Sequence, residues 1–166
     1  MNIKHYLGNK EKIQESYDFF IQKEQLTQIS PQKNLIQAHI SKSQHNLAVL
    51  KQLTDDFNDW KIIALYYSLY HSCLALLVHK GYTSKNHTAT LIFLLTHYSQ
   101  ITNEEISLIE ELQIKDEDAK FYTQLKQDRH NASYSTETFF NAQKVEEIRI
   151  KTITFLNKVK EILQQQ

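Results

Sequence analysis

The run from Trp60 to Gly81, WKIIALYYSLYHSCLALLVHKG, constrains this chain most, because apolar and aromatic residues fall nearly all the way round its helical projection. Ile63, Tyr67, Tyr70, Leu74 and Leu77 mark one stripe at helical spacing, and Ile62, Leu65, Tyr66, Leu69 and Leu76 mark another. A helix that is apolar on most sides is buried on most sides. Lys61, Ser68, His71 and Ser72 interrupt the run and His79-Lys80 closes it, which argues against a bilayer span. The segment reads as the central helix of a bundle, stopped by Gly81 as a C-terminal cap.

The rest of the composition agrees. Two glycines and one proline in 166 residues are too few for a sheet-rich or loop-rich fold. The length suits one domain with a core that needs no staples. The single cysteine, Cys73, lies inside the apolar helix, which excludes a disulfide frame and a cysteine metal site and points to a reducing compartment. No apolar signal segment follows the opening Met-Asn-Ile-Lys, so the expected setting is soluble and cytoplasmic. The 19 basic and 19 acidic residues cancel, so no long-range attraction to nucleic acid or membrane is expected, although a local cationic groove is still allowed.

In chain order, residues 9 to 29 read as an amphipathic helix with Ile13, Tyr17, Phe20 and Ile21 on one side. Ser30-Pro31 reads as N-cap and first helical position of a second helix running to about Leu53, with the stripe Ile36, Ile40, Leu47 and Leu50. Asp55 to Asp59 form a polar turn into the central helix. Tyr82 to His87 read as a polar connection, with His87 as a possible cap, and a short helix follows from about Thr88 to Tyr98. Thr102-Asn-Glu-Glu105 fits a capping box ahead of Ile106, Ile109 and Leu112. The helix loosens or breaks at Lys115-Asp-Glu-Asp118 and resumes through Phe121 to Arg129. The last helix runs from about Phe139 to Leu163, with the stripe Val145, Ile148, Thr152, Phe155, Val159 and Ile162. The expected architecture is all-α, an up-and-down bundle of five or six helices. It has an N-terminal helical arm over 1–30 and the bundle over 31–166.

Two polar residues stand out against this apolar background. Arg129 shares a helical face with Tyr122, Leu125 and Ala132, and an arginine directed into a bundle is costly unless paired or facing a ligand. It is either an internal ion-pair partner, or a snorkelling stem, or an anion site suited to its rigid fork. His71 lies one turn from Tyr67 and Leu74 on the central helix and is either a satisfied core residue or a ligand group. Eight histidines show no HExxH or CxxC partner spacing, so neither a metal nor a cofactor is expected. There is also no glycine-rich phosphate loop.

Taken together, Leu65-Tyr-Tyr-Ser-Leu-Tyr-His-Ser-Cys73, Leu76 to Gly81, Lys85-Asn-His87 and Arg129-His-Asn-Ala-Ser-Tyr134 resemble the HEPN family of prokaryotic helical domains. The resemblance covers about residues 31 to 163. It implies a helical bundle, commonly a homodimer, often encoded beside a small nucleotidyltransferase that neutralises it as an antitoxin. In catalytic members it implies a metal-independent endoribonuclease, in which an arginine holds phosphate charge and a histidine four to six residues later assists attack by the ribose 2′-hydroxyl.

Carried over by position, the catalytic set is Arg129, His130 and Tyr134, and the ligand-binding set is Arg129, Asn131, His71 and Tyr67. Tyr134 stands where the histidine is expected. An unperturbed phenol has a pKa about three units above neutrality, roughly 4 kcal/mol, comparable with all that a general base contributes. The departure shifts weight toward members that only bind nucleotides or RNA. An active ribonuclease toxin using Arg129 with His130 or Tyr134 is the second reading, and a non-catalytic helical adaptor the third.

Overall fold

The structure is a computed structural model that describes residues 3–113 and 141–165. In these, α1 is Lys10–Gln22, β1 Leu26–Gln28, α2 Lys33–Val49, α3 Asn58–His79, β2 Tyr82–Ser84, α4 His87–His97 and α6 Ala142–Gln164. A further helix, α5, covers residues 103–113. Single 3-10 turns lie at Ile3–His5, Leu50–Gln52 and Asp55–Phe57. The fold is all-α apart from one two-stranded ribbon.

α3 is the axis of the bundle, with α2, α4 and α6 packed on it. Ile62, Leu65, Leu69, Cys73, Leu76 and Leu77 are fully excluded from water. By length and composition the span Asp55–His79 would pass for a membrane helix, but 67% of its most apolar window is buried inside the protein, and the bundle accounts for its hydropathy. The expected stripes of α5 and α6 both face this core: Ile106, Ile109 and Leu112 from one, Val145, Ile148, Thr152, Phe155, Val159 and Ile162 from the other. The capping box forms as the sequence predicts. Thr102 N–H donates to the Glu105 carboxylate at 2.8 Å, and Glu105 N–H donates to the Thr102 hydroxyl at 3.3 Å.

The α2–α3 seam is polar at its centre. The Ser43 hydroxyl lies 2.9 Å from the hydroxyls of both Ser68 and Ser72, and Ser72 donates to the Ser68 carbonyl at 2.9 Å. All three serines are fully buried. Because the Ser72 proton is already committed, the chain runs one way: Ser68 donates to Ser43, Ser43 to Ser72, and Ser72 to the backbone. Each hydroxyl is satisfied, as burial demands, and the pairing fixes how far α2 slides along α3.

The N-terminal third departs from the expected helix over 9 to 29. α1 stops at Gln22 because Glu24 takes a left-handed conformation, φ 54°. Glu24 N–H bonds to the Ile21 carbonyl and Gln25 N–H to the Phe20 carbonyl, which is the Schellman pattern. Glycine usually marks that position, so a glutamate there hides the stop. Leu26–Gln28 then pairs antiparallel with Tyr82–Ser84, turning the expected polar connection into a strand. Ile29 N–H continues the pairing onto the Gly81 carbonyl at 2.8 Å, and the N-cap of α2 is Gln32, itself extended, rather than Ser30. At α4 the cap is Asn86, whose side chain accepts from Ala89 N–H, and His87 is the first residue of the helix rather than its cap. Ile3, Phe20 and Leu26 all belong to the main core, α1 packs on α4, and Ile3 N–H donates to the Glu110 carboxylate.

Gly81 is the knot in this arrangement. Its φ is +75°, and a Cβ there would sit 2.8 Å from the Ile29 carbonyl oxygen. Gly8 also has a positive φ, +83°, but open space around it. Gly81→Ala is expected to cost about 1–3 kcal/mol more than Gly8→Ala, since strain and a backbone clash add at the first site only. Urea denaturation of both variants checks this, with equal losses contradicting it.

Candidate functional site

One side of α3 is less covered than the rest among the described residues. Trp60 is 49% exposed, and Ile63, Tyr67, Tyr70, His71 and Leu74 are half-buried, in a helix whose other faces are dry. Tyr67 and His71 are one turn apart on this side, so two sequence-predicted ligand residues share a face. Arg129, His130, Asn131 and Tyr134, which carry the predicted catalytic motif and the rest of the ligand set, lie outside the described residues.

Two imidazole clusters flank the face. Toward α2, the Nδ1 atoms of His71 and His39 are 3.1 Å apart, with ring centroids at 5.3 Å. Two nitrogens at that distance share one proton: one ring is the Nδ1–H tautomer and donates, while the other accepts and carries its proton on Nε2. The arrangement excludes a doubly protonated pair, and burial favours the neutral one. Burial pushes the His71 pKa down to about 4, and His39 and Lys42 add to the shift by their charge. Burial lowers His39 as well. The serine chain is the reason the two rings meet, because Ser43 against Ser68 and Ser72 places His39, one turn earlier on α2, beside His71.

Toward α4, the hydroxyl of the buried Tyr66 hydrogen-bonds Nδ1 of His87, and the His87 ring packs on Tyr70 at 4.3 Å between centroids. His87 is therefore the polar partner that lets a tyrosine occupy the core, rather than a helix cap. Burial raises the Tyr70 pKa, opposed by a hydrogen bond with Thr90. Further along, Tyr98 donates to the Leu76 carbonyl at 2.7 Å and lies 3.3 Å from His79 Nδ1, tying α4 to the end of α3. Burial pushes the Cys73 thiol up, which leaves it without nucleophilic character.

His39 and Lys42 escaped the sequence reading. His39 is 32 residues from His71 and no local spacing links them. A groove of about 710 Å³ between α2 and α6 was also not foreseen; Lys51, Lys61, Arg149 and Lys160 line it. Two of these cations are already paired, Lys61 with Asp55 at 2.7 Å and Arg149 with Glu146 at 2.6 Å. Tyr67 and His71, the predicted site residues that are described, do not border it.

A histidine held neutral in the fold and free to protonate when unfolded makes stability fall with acidification. For His71 the loss begins below its unfolded pKa of about 6.5 and continues to about 4. Proton NMR is expected to place the His71 midpoint near 4, and His39→Ala to raise it. A midpoint above 6 in the wild type would contradict the neutral pair.

A family model described as the HEPN domain matches residues 36–162, most of the chain. No curated protein and no solved structure matches it.

Proposed function

The chain belongs to the HEPN domain family, and from that premise we propose that it is a nucleotide- or RNA-binding member. The observation that carries this reading is the extent of the match. It takes in both the α3 face with Tyr67 and His71 and the segment from Arg129 to Tyr134. Arg129 supplies the positive fork for phosphate, and Asn131, two positions later in the sequence, a polar contact. Tyr67 offers a half-exposed aromatic face of the kind on which nucleobases stack, and His71 offers ring hydrogen-bonding capacity while carrying no charge at neutral pH.

The same reading explains why catalysis is not the first expectation. Tyr134 occupies the position at which the family's ribonucleases carry histidine, and His130 directly follows Arg129 in sequence. The balanced charge of the chain suits a ligand with few phosphates, since each contact in a long RNA footprint needs its own cation. The proposal includes a homodimer and a nucleotidyltransferase partner in a toxin–antitoxin or defence setting, as the resemblance implies.

Fluorescence anisotropy with a labelled RNA oligonucleotide, and competition by mononucleotides, tests the reading in the presence of excess chelator. Arg129→Ala is expected to weaken binding by about 10- to 100-fold, the scale of one lost charge-assisted hydrogen bond. Binding unchanged by that substitution would overturn the assignment of Arg129. Chelator-resistant cleavage by the wild type alone would replace it with the ribonuclease reading.

A further inference from the structure

We propose that His39 and His71 form a two-imidazole site for a borderline transition-metal ion, of the Cu2+ or Zn2+ class, that bridges α2 and α3. Their Nδ1 atoms are 3.1 Å apart. An ion held at about 2.0–2.1 Å from both nitrogens would subtend an angle of roughly 95–100°. That angle falls between the right angle of a tetragonal Cu2+ site and the tetrahedral angle of Zn2+. The rings therefore already stand at a chelating separation, and the ion would lie about 1.3 Å to one side of the line between the two nitrogens.

Both rings are in the ligating form. Each is half-buried and its neutral state is favoured by burial. Binding requires no net proton release: the donor ring moves its proton from Nδ1 to Nε2, the two rings turn so that both Nδ1 lone pairs converge on the ion, and each ring keeps one N–H. The framework is already rigid, because the serine chain of Ser43, Ser68 and Ser72 fixes the helix pair one turn away. Among the described residues no group of three or more His, Cys, Asp or Glu stands close enough to hold a metal ion. The two imidazoles thus supply two positions, and solvent or an incoming ligand supplies the remainder. One feature opposes the site. Lys42 is near enough to disfavour positive charge at His71, and that opposition yields a test.

Purified protein free of affinity tags is titrated with Cu2+ and followed by electron paramagnetic resonance. One ion with hyperfine coupling to two imidazole nitrogens is expected, and the wild-type spectrum alone decides this even where a variant folds poorly. His39→Asn and His71→Asn, with folding verified by circular dichroism, are each expected to weaken the site by about 10- to 100-fold. Lys42→Met is expected to tighten it, whereas a site built for anions would weaken. Zn2+ in excess is expected to raise the unfolding temperature of the wild type more than that of either histidine variant. A wild-type spectrum without the two-nitrogen signature overturns the proposal, as does Cu2+ binding unaffected by both histidine substitutions. Because the readouts involve neither RNA nor nucleotide, a failure here is separate from a failure of the proposed function.

Discussion

Keeping water off α3 is the requirement from which the other contacts follow. Its 22 residues carry apolar groups on nearly every side, and burying each large one is worth about 1.5–3 kcal/mol. No single neighbour can cover such a surface, so α2, α4 and α6 pack around it. β1 and β2 then close the turn beyond its C-terminus, with Gly81 the one residue whose backbone allows that approach. The N-terminal segment joins the same core through Ile3, Phe20 and Leu26.

A helix so deeply buried tolerates polar groups only where each finds a partner, and here each partner sits on a specific neighbour. Ser68 and Ser72 meet Ser43 of α2, Tyr66 meets His87 of α4, and His71 meets His39 of α2. Slipping α2 by one turn would leave buried hydroxyls unsatisfied at about 1–3 kcal/mol each. The polar contacts therefore choose one register from the several that apolar packing alone would permit. That register is what sets the two imidazoles side by side, one turn from the serine chain.

Much of this was legible in the sequence because it rests on local pattern. The apolar circumference of α3, the stripe of α6 and the capping box at Thr102 each follow from spacing within one element, and each appears as expected. The family likeness carried by Tyr66 to His71 and Arg129 to Tyr134 is borne out by the match over residues 36–162. What failed to show rests on contacts between distant parts of the chain. The end of α1 is hidden because glutamate fills a left-handed position that glycine normally announces. The strand pair joins segments more than fifty residues apart, each only three residues long. His39 is half-buried and carries no motif within its own helix, and it acquires significance only once α2 lies against α3.

We propose that phosphate-bearing ligands engage the α3 face together with the segment beginning at Arg129. The direct test is to map binding on isotopically labelled protein by NMR as a short RNA is added. The account predicts that the Arg129 side-chain signal and those of Tyr67 and His71 move together and saturate together. Shifts confined to Lys51, Arg149 and Lys160 in the α2–α6 groove, or no shifts at all, would contradict it.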